Sequence, residues 1–169
     1  MRIAGRVLKF GDNVNTTIMA PHETYGGVER QVIRPIKEVT MTAIRPNFPE
    51  EVRRGDIIVA GKNWGCGSHR DDATRVFIEL GIRAIVADSM ADLYYRMCIA
   101  YGLPAFTCLG VSKMFKDGNQ IELDLSTGEV KNLTTGERMS GKPLPEFLLT
   151  LLEKGGLLPI IVEKNRLPS

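Results

Sequence analysis

A chain of 169 residues with 43% apolar, 25% charged and 7% aromatic side chains has the make-up of a globular protein and the length of one compact domain, which typically takes about 100–200 residues. Its 22 lysines and arginines against 20 aspartates and glutamates leave a net charge of +2, spread too evenly to mark a phosphate-backbone binder, so nucleic acid is not an expected partner. No apolar run approaches the roughly 18 residues of a membrane span, and the N-terminus MRIAGRVLKFGDN mixes charge with hydrophobe where a signal peptide holds a continuous apolar stretch; a soluble cytoplasmic protein is expected, away from membranes.

In chain order, Arg2 to Phe10 alternates as a strand does and runs into the turn formers Gly11, Asp12 and Asn13. From Asn15 to Glu51 periodicity is poor and Pro35, Pro46 and Pro49 break every short run, which reads as loop with short strands. The middle is clearer. Asp56 opens the apolar strand IIVA, Gly61 to Ser68 is a glycine-rich loop, and Ala73, Val76, Phe77 and Leu80 recur at helical spacing up to a closing Gly81. Residues 82–87 (IRAIVA) form a strand, Ser89 serves as N-cap with Asp92 at N3, MADLYYRMCIAY is a helix closed by Gly102, and LPAFTC is a strand. This β-α-β-α-β unit implies parallel strands whose ligands gather beyond their carboxyl ends, where the 61–70 loop lies. After Cys108 the short runs IELDL and VKNL, split by STGE and TTGE, read as antiparallel hairpins. Residues 145–154 form a helix with Pro145 at its first position and Gly155-Gly156 after it, and LLPIIV reads as a final strand. No linker or repeat interrupts residues 1–169, so the expected organisation is a single α/β domain.

Chemistry concentrates in Gly61-Lys62-Asn63-Trp64-Gly65-Cys66-Gly67-Ser68-His69-Arg70-Asp71-Asp72. Glycines let a backbone approach a ligand closely, a helix starting near Ser68 would aim unpaired N–H groups at an anion, and Arg70 with Lys62 would grip a carboxylate or phosphate. The same residues also read as a capped helix after a tight turn, with Ser68 only the N-cap and Arg70 solvated. No G-K-[ST] ending and no G-x-S-x-G is present, which removes the Walker loop and the nucleophile elbow. Cys66, Cys98 and Cys108 form no C-x-x-C pair and are odd in number, arguing for reduced thiols and against a self-held cubane cluster. His22 has no metal-spaced companion and is assigned no metal. Tyr94, Tyr95 and Met97 read as core.

Taken together, VRRGDIIVAGKNWGCGSHRDDA, ADSMADLYYRMCIAYGLPAF and KFGDNVNT resemble the small subunits of the 3-isopropylmalate dehydratase family, the separate-chain counterpart of the aconitase swivel domain. The resemblance implies a swivelling β/β/α domain, an α/β fold with a parallel β-α-β-α-β core plus antiparallel hairpins. It implies a heterodimer or heterotetramer with a large catalytic subunit that carries a 4Fe-4S cluster, and a small dicarboxylate substrate. The implied reaction removes a proton α to a carboxylate with loss of a hydroxyl, then rehydrates one carbon over, as in isomerising 2- and 3-isopropylmalate for leucine biosynthesis. Ser68 falls on the family's general-base serine and Arg70 on its carboxylate-binding arginine; His69, Lys62, Asn63 and Gly67 complete the expected substrate contacts. A serine works as a base only as an alkoxide stabilised by nearby positive charge and water exclusion.

The chain departs from the family at several points. The usual G-S-S-R-E-H-A is Gly67-Ser68-His69-Arg70-Asp71-Asp72-Ala73, and D-N-[IV]-D-T-D is Asp12-Asn13-Val14-Asn15-Thr16-Thr17. These losses point to a related 2-hydroxy diacid (methylmalate, dimethylmalate or homoaconitate) as the alternative substrate, and HETYGGVERQ after Pro21 matches no known specificity loop. Two readings from other classes stand beside it: a phosphohistidine swivel using His69, and a non-catalytic diacid-binding module.

Overall fold

The protein is described here from a computed structural model covering residues 1–21, 35–68 and 70–165. In chain order its elements are β1 (Arg2–Lys9), α1 (Thr16–Met19), α2 (Ile36–Val39), α3 (Phe48–Glu51), β2 (Ile57–Ala60), α4 (Asp72–Glu79), β3 (Ala84–Ala87), α5 (Asp92–Ala100), β4 (Ala105–Thr107), α6 (Val111–Met114), β5 (Gln120–Asp124), β6 (Glu129–Asn132), β7 (Arg138–Ser140), α7 (Glu146–Glu153) and α8 (Leu157–Asn165). The strands form one curled sheet in the order β4-β3-β2-β1-β5-β6-β7. Its first four strands are parallel and the remaining pairings antiparallel, so the expected β-α-β-α-β unit and the hairpins are both present. Strands β2 and β3 (IIVA and AIVA) are buried at every position, as strands covered on both faces must be.

Strand β1 joins the two halves. Residues 2–6 pair with β5, and Val7 to Lys9 pair with β2 in the register Val7↔Ile57. Gly5 sits at the changeover because a Cβ there would lie 2.2 Å from the Gly55 carbonyl oxygen. A buried ion pair fixes the same register: Asp56, 3% exposed, accepts from Arg6 Nε at 3.0 Å and Nη2 at 2.6 Å. The sheet curls far enough that Gly141, just past β7, lies against β4, where a Cβ would meet the Phe106 ring at 2.6 Å and the Thr107 carbonyl at 2.8 Å.

Four expectations need correcting. The 15–51 segment holds three four-residue helices among its described residues where short strands were expected; Asn15 caps α1 by accepting the Ile18 amide at 2.9 Å, and Pro49 sits in the first turn of α3. Ser89 does not cap α5, whose N-cap is Ala91. Pro145 is the N-cap of α7 and not its first residue. LLPIIV begins α8 and is no strand, with Pro159 tolerated in the first turn, where its missing N–H has no helical acceptor. Gly81 and Gly102, at φ +83° and +78°, follow the C-caps of α4 and α5 as expected.

In the antiparallel half, Asp124 accepts from the Ser126 hydroxyl at 2.5 Å and from Arg2 Nε at 2.9 Å. These bonds, the serine's foremost, hold its carboxyl well below the usual carboxylate range. A depressed folded pKa contributes stability that is present above the unfolded value of about 3.9 and is lost as pH falls through the folded one. Urea midpoints at pH 7 and pH 3 are expected to differ less for Asp124→Asn than for the wild-type chain. An equal acid loss in both would refute the assignment.

Candidate active site

The parallel strands β1, β2, β3 and β4 end on one rim, and residues 61–68 cross it after β2, on the way to α4. Beneath it lies an aromatic stack. Trp64, fully buried, packs 5.7 Å from Phe10 and 6.3 Å from Phe77 between ring centroids, and Phe48 stands edge-on to Phe10 at 5.7 Å and to Phe77 at 6.2 Å. Centroid spacings of about 4.5–7 Å are favourable for such pairs. One loop side chain thus anchors the segment to the end of β1 and to α4, with Phe48 of α3 closing the stack, while Lys62, Asn63, Gly67 and Ser68 stay exposed.

The turn after β1 runs alongside this loop and holds it rung by rung. The Lys62 amide donates to Asp12 Oδ1 at 2.7 Å, the Asn13 amide to the Lys62 carbonyl at 2.8 Å, and Asn63 Nδ2 to Asn13 Oδ1 at 2.9 Å. Further along, the Gly65 amide donates to the Val14 carbonyl and the Thr16 amide to the Cys66 carbonyl, each at 2.9 Å. From the other side Ser89 takes both the Asn63 amide on its hydroxyl at 2.9 Å and the Trp64 amide on its carbonyl at 3.0 Å. The serine read as a helix cap is therefore a loop clamp, because its side chain finds a donor across the rim.

Glycine is required at two of these positions for different reasons. Gly65 has φ +75° and a Cβ there would lie 2.2 Å from the Tyr94 ring, so both conformation and space demand it. At Gly67, φ is +96° but a Cβ would find its nearest atoms at 3.6 Å, so conformation alone decides. Asn63 and Asn13 also adopt left-handed backbone, at φ +57° and +58°, a region asparagine enters more readily than most residues.

Of the expected site residues, Lys62, Asn63, Gly67 and Ser68 are exposed on the rim, and Arg70 is half-buried with its Nε and Nη2 shielded from solvent. His69, His22 and the HETYGGVERQ stretch lie outside the described residues. The expected helix start near Ser68 is corrected: α4 begins at Asp72 behind the N-cap Asp71. Those two acidic side chains occupy the positive end of the helix themselves, so the dipole favours them over an anion at Ser68. The Ser68 carbonyl accepts from the Thr16 hydroxyl and from the Arg70 amide, the latter at 2.9 Å. The cationic side chains of the same segment are Arg70 and Lys62. Asp12 and Thr16 lie in the KFGDNVNT motif and Ser89 reads as a helix cap, but the motif does not show that these three residues hold the rim loop.

A 4Fe-4S cluster needs several exposed thiolates, and this chain does not fit one. Burial pushes the Cys98 thiol up to about 12, and burial with the neighbouring Asp88 raises that of Cys108. Among the described residues no three His, Cys, Asp or Glu side chains converge as a metal-binding group. In the same residues no helix is long and apolar enough to cross a membrane.

Residues 10–107, which include the whole rim loop, match the aconitase C-terminal domain family. Over 164 residues the chain is 44% identical to the isopropylmalate/citramalate isomerase small subunit of Methanocaldococcus jannaschii, with 96% of this chain and 95% of that one covered. It is 39% identical over 157 residues to the methanogen homoaconitase small subunit of Methanothermobacter thermautotrophicus, covering 92% and 88%. The crystal structure of 3-isopropylmalate dehydratase from Methanocaldococcus jannaschii is similar with a TM-score of 0.84 and 32% identity, over 97% of this chain and 95% of that one.

Proposed function

The chain belongs to the aconitase C-terminal domain family, and on that premise we propose that it is the small subunit of a cytoplasmic hydro-lyase, a 3-isopropylmalate dehydratase of leucine biosynthesis. The observation that supports this reading is the rim loop, which leaves Ser68 exposed, two residues before Arg70 in the chain, at the carboxyl ends of the parallel strands. Arg70 and Lys62 supply the charge that a dicarboxylate substrate needs, Asn63 and the Gly67 backbone supply hydrogen bonds, and His69 stands between Ser68 and Arg70 in the sequence. Ser68 takes the proton α to a carboxylate. Its alkoxide is stabilised by the adjacent cations and by loss of water when the domain closes on its partner. The large subunit contributes the 4Fe-4S cluster of the family's chemistry, and the two chains form the working heterodimer or heterotetramer. Relatives named for isopropylmalate, citramalate and homoaconitate chemistry make another 2-hydroxy diacid the second reading, within the same reaction type and on the same site.

The test mixes this chain anaerobically with the cluster-reconstituted large subunit from the same source and offers 3-isopropylmalate, citramalate, dimethylmalate and homoisocitrate, the hydrated form of homoaconitate. Formation of the unsaturated acid from 3-isopropylmalate with the highest kcat/KM is the expected result. Preference for another diacid moves the assignment to the second reading. If the chains associate and none of the four acids is dehydrated, the catalytic reading fails.

A further inference from the structure

Resting on the reading of Ser68 as the base, we propose that Thr16 is its positioning residue, setting where the Ser68 hydroxyl and the Arg70 side chain stand relative to each other. Thr16 is fully buried in the first turn of α1, 52 residues from Ser68 in sequence. Its amide donates to the Cys66 carbonyl at 2.9 Å and its hydroxyl to the Ser68 carbonyl. These two bonds bracket Gly67, the residue at φ +96° that is freest to rotate in this part of the loop. The Ser68 carbonyl also accepts the Arg70 amide at 2.9 Å, so one oxygen ties the base and the carboxylate grip to the same buried hydroxyl. Thr16 is held in turn by the Ala20 amide, which donates to its carbonyl at 2.9 Å. The rungs from Asp12 to Val14 secure the loop up to Gly65; Thr16 extends that hold across Gly67 to Ser68 itself.

A displacement of about 1 Å at a reacting group can cost on the order of 100-fold in rate. In the two-subunit enzyme, Thr16→Val and Thr16→Ala, which lack the hydroxyl, are expected to lower kcat at least about tenfold with KM nearly unchanged, whereas Thr16→Ser, which keeps it, stays near wild type. Adding Thr16→Val to Ser68→Ala should cost nothing further, since coupled residues are not additive. Melting curves and association with the large subunit are followed for every variant; if the valine chain does not fold, the Ala and Ser pair decides, because both lose the methyl and only one loses the hydroxyl. Equal kcat for Thr16→Ala and Thr16→Ser, or an additive loss in the double variant, overturns the inference. If Ser68→Ala itself turns over normally, the base assignment has failed; if Ser68→Ala is dead while Thr16→Val is as fast as wild type, only the positioning role has failed.

Discussion

Ser68→Ala, assayed in the assembled enzyme, is expected to lower kcat by about 100- to 10,000-fold, the range for removing a positioned general acid or base, with KM changed little and the two chains still associated. Ser68 is exposed on the rim, and the contacts that fix it run through its backbone carbonyl, which accepts from the Thr16 hydroxyl and the Arg70 amide. Deleting the hydroxyl therefore removes chemistry without loosening the loop. On the proposed reading Arg70 and Lys62 meet the substrate's charge and the substitution leaves both in place, so the loss should fall on the chemical step. Retention of more than about a tenth of wild-type kcat would contradict a general-base role and would favour the non-catalytic diacid-binding module. The deficit should not depend on which diacid is used, because proton removal is common to all of them.

The largest stability effect is expected at the opposite ends of the same strands. Asp56→Ala should cost about 3 kcal/mol, near the lower end of the range for breaking a buried ion pair from one side. Asp56 accepts both arms of Arg6 and also the Arg53 amide at 2.8 Å, and Arg6 Nη2 donates in addition to the Glu51 carbonyl at 2.8 Å. Removing the carboxylate leaves a guanidinium with only 26% of its side chain in water. It also orphans a backbone donor at the turn that aligns β1 with β2. The residual exposure of Arg6 keeps the figure from going higher. Arg2→Ala is the control: its side chain is 73% exposed in the bridge to Asp124, and solvent screening leaves an exposed pair of that kind little weight. Urea midpoints at an unchanged m-value measure both. A loss below about 1 kcal/mol for Asp56→Ala would mean that the pair's desolvation cost cancels its attraction.

Local chemistry explains how much of the fold was legible. IIVA and IRAIVA are short apolar runs between turn formers, and Gly81 and Gly102 close helices whose apolar spacing is clear; these signals act within a few residues and need no distant partner. The turns STGE and TTGE likewise mark the hairpins, with Gly128 and Gly136 at φ +79° and +82°. The rim loop itself stood out because three glycines, an arginine and a lysine crowd into ten residues.

Where reading along the chain went astray over the rim loop's supports, the deciding partner was far away. Ser89 has the identity of a helix cap, and only the folded rim, which brings the Asn63 amide to within 2.9 Å, turned its hydroxyl to the loop. LLPIIV satisfies strand and helix patterns equally; the curl that lays Gly141 against β4 is a property of the whole sheet, and no run of six residues encodes it. Ser68 looked like the start of a helix until Asp71 and Asp72 were seen to occupy that place, three residues on. The sequence by itself determined most of the strand and helix punctuation, the family resemblance and the candidates for the chemistry. The tertiary structure alone decided which groups hold them, because the contacts Asp12–Lys62, Ser89–Asn63 and Thr16–Ser68 span 50, 26 and 52 residues, and a hydrogen bond formed across such a distance leaves no periodicity in the chain.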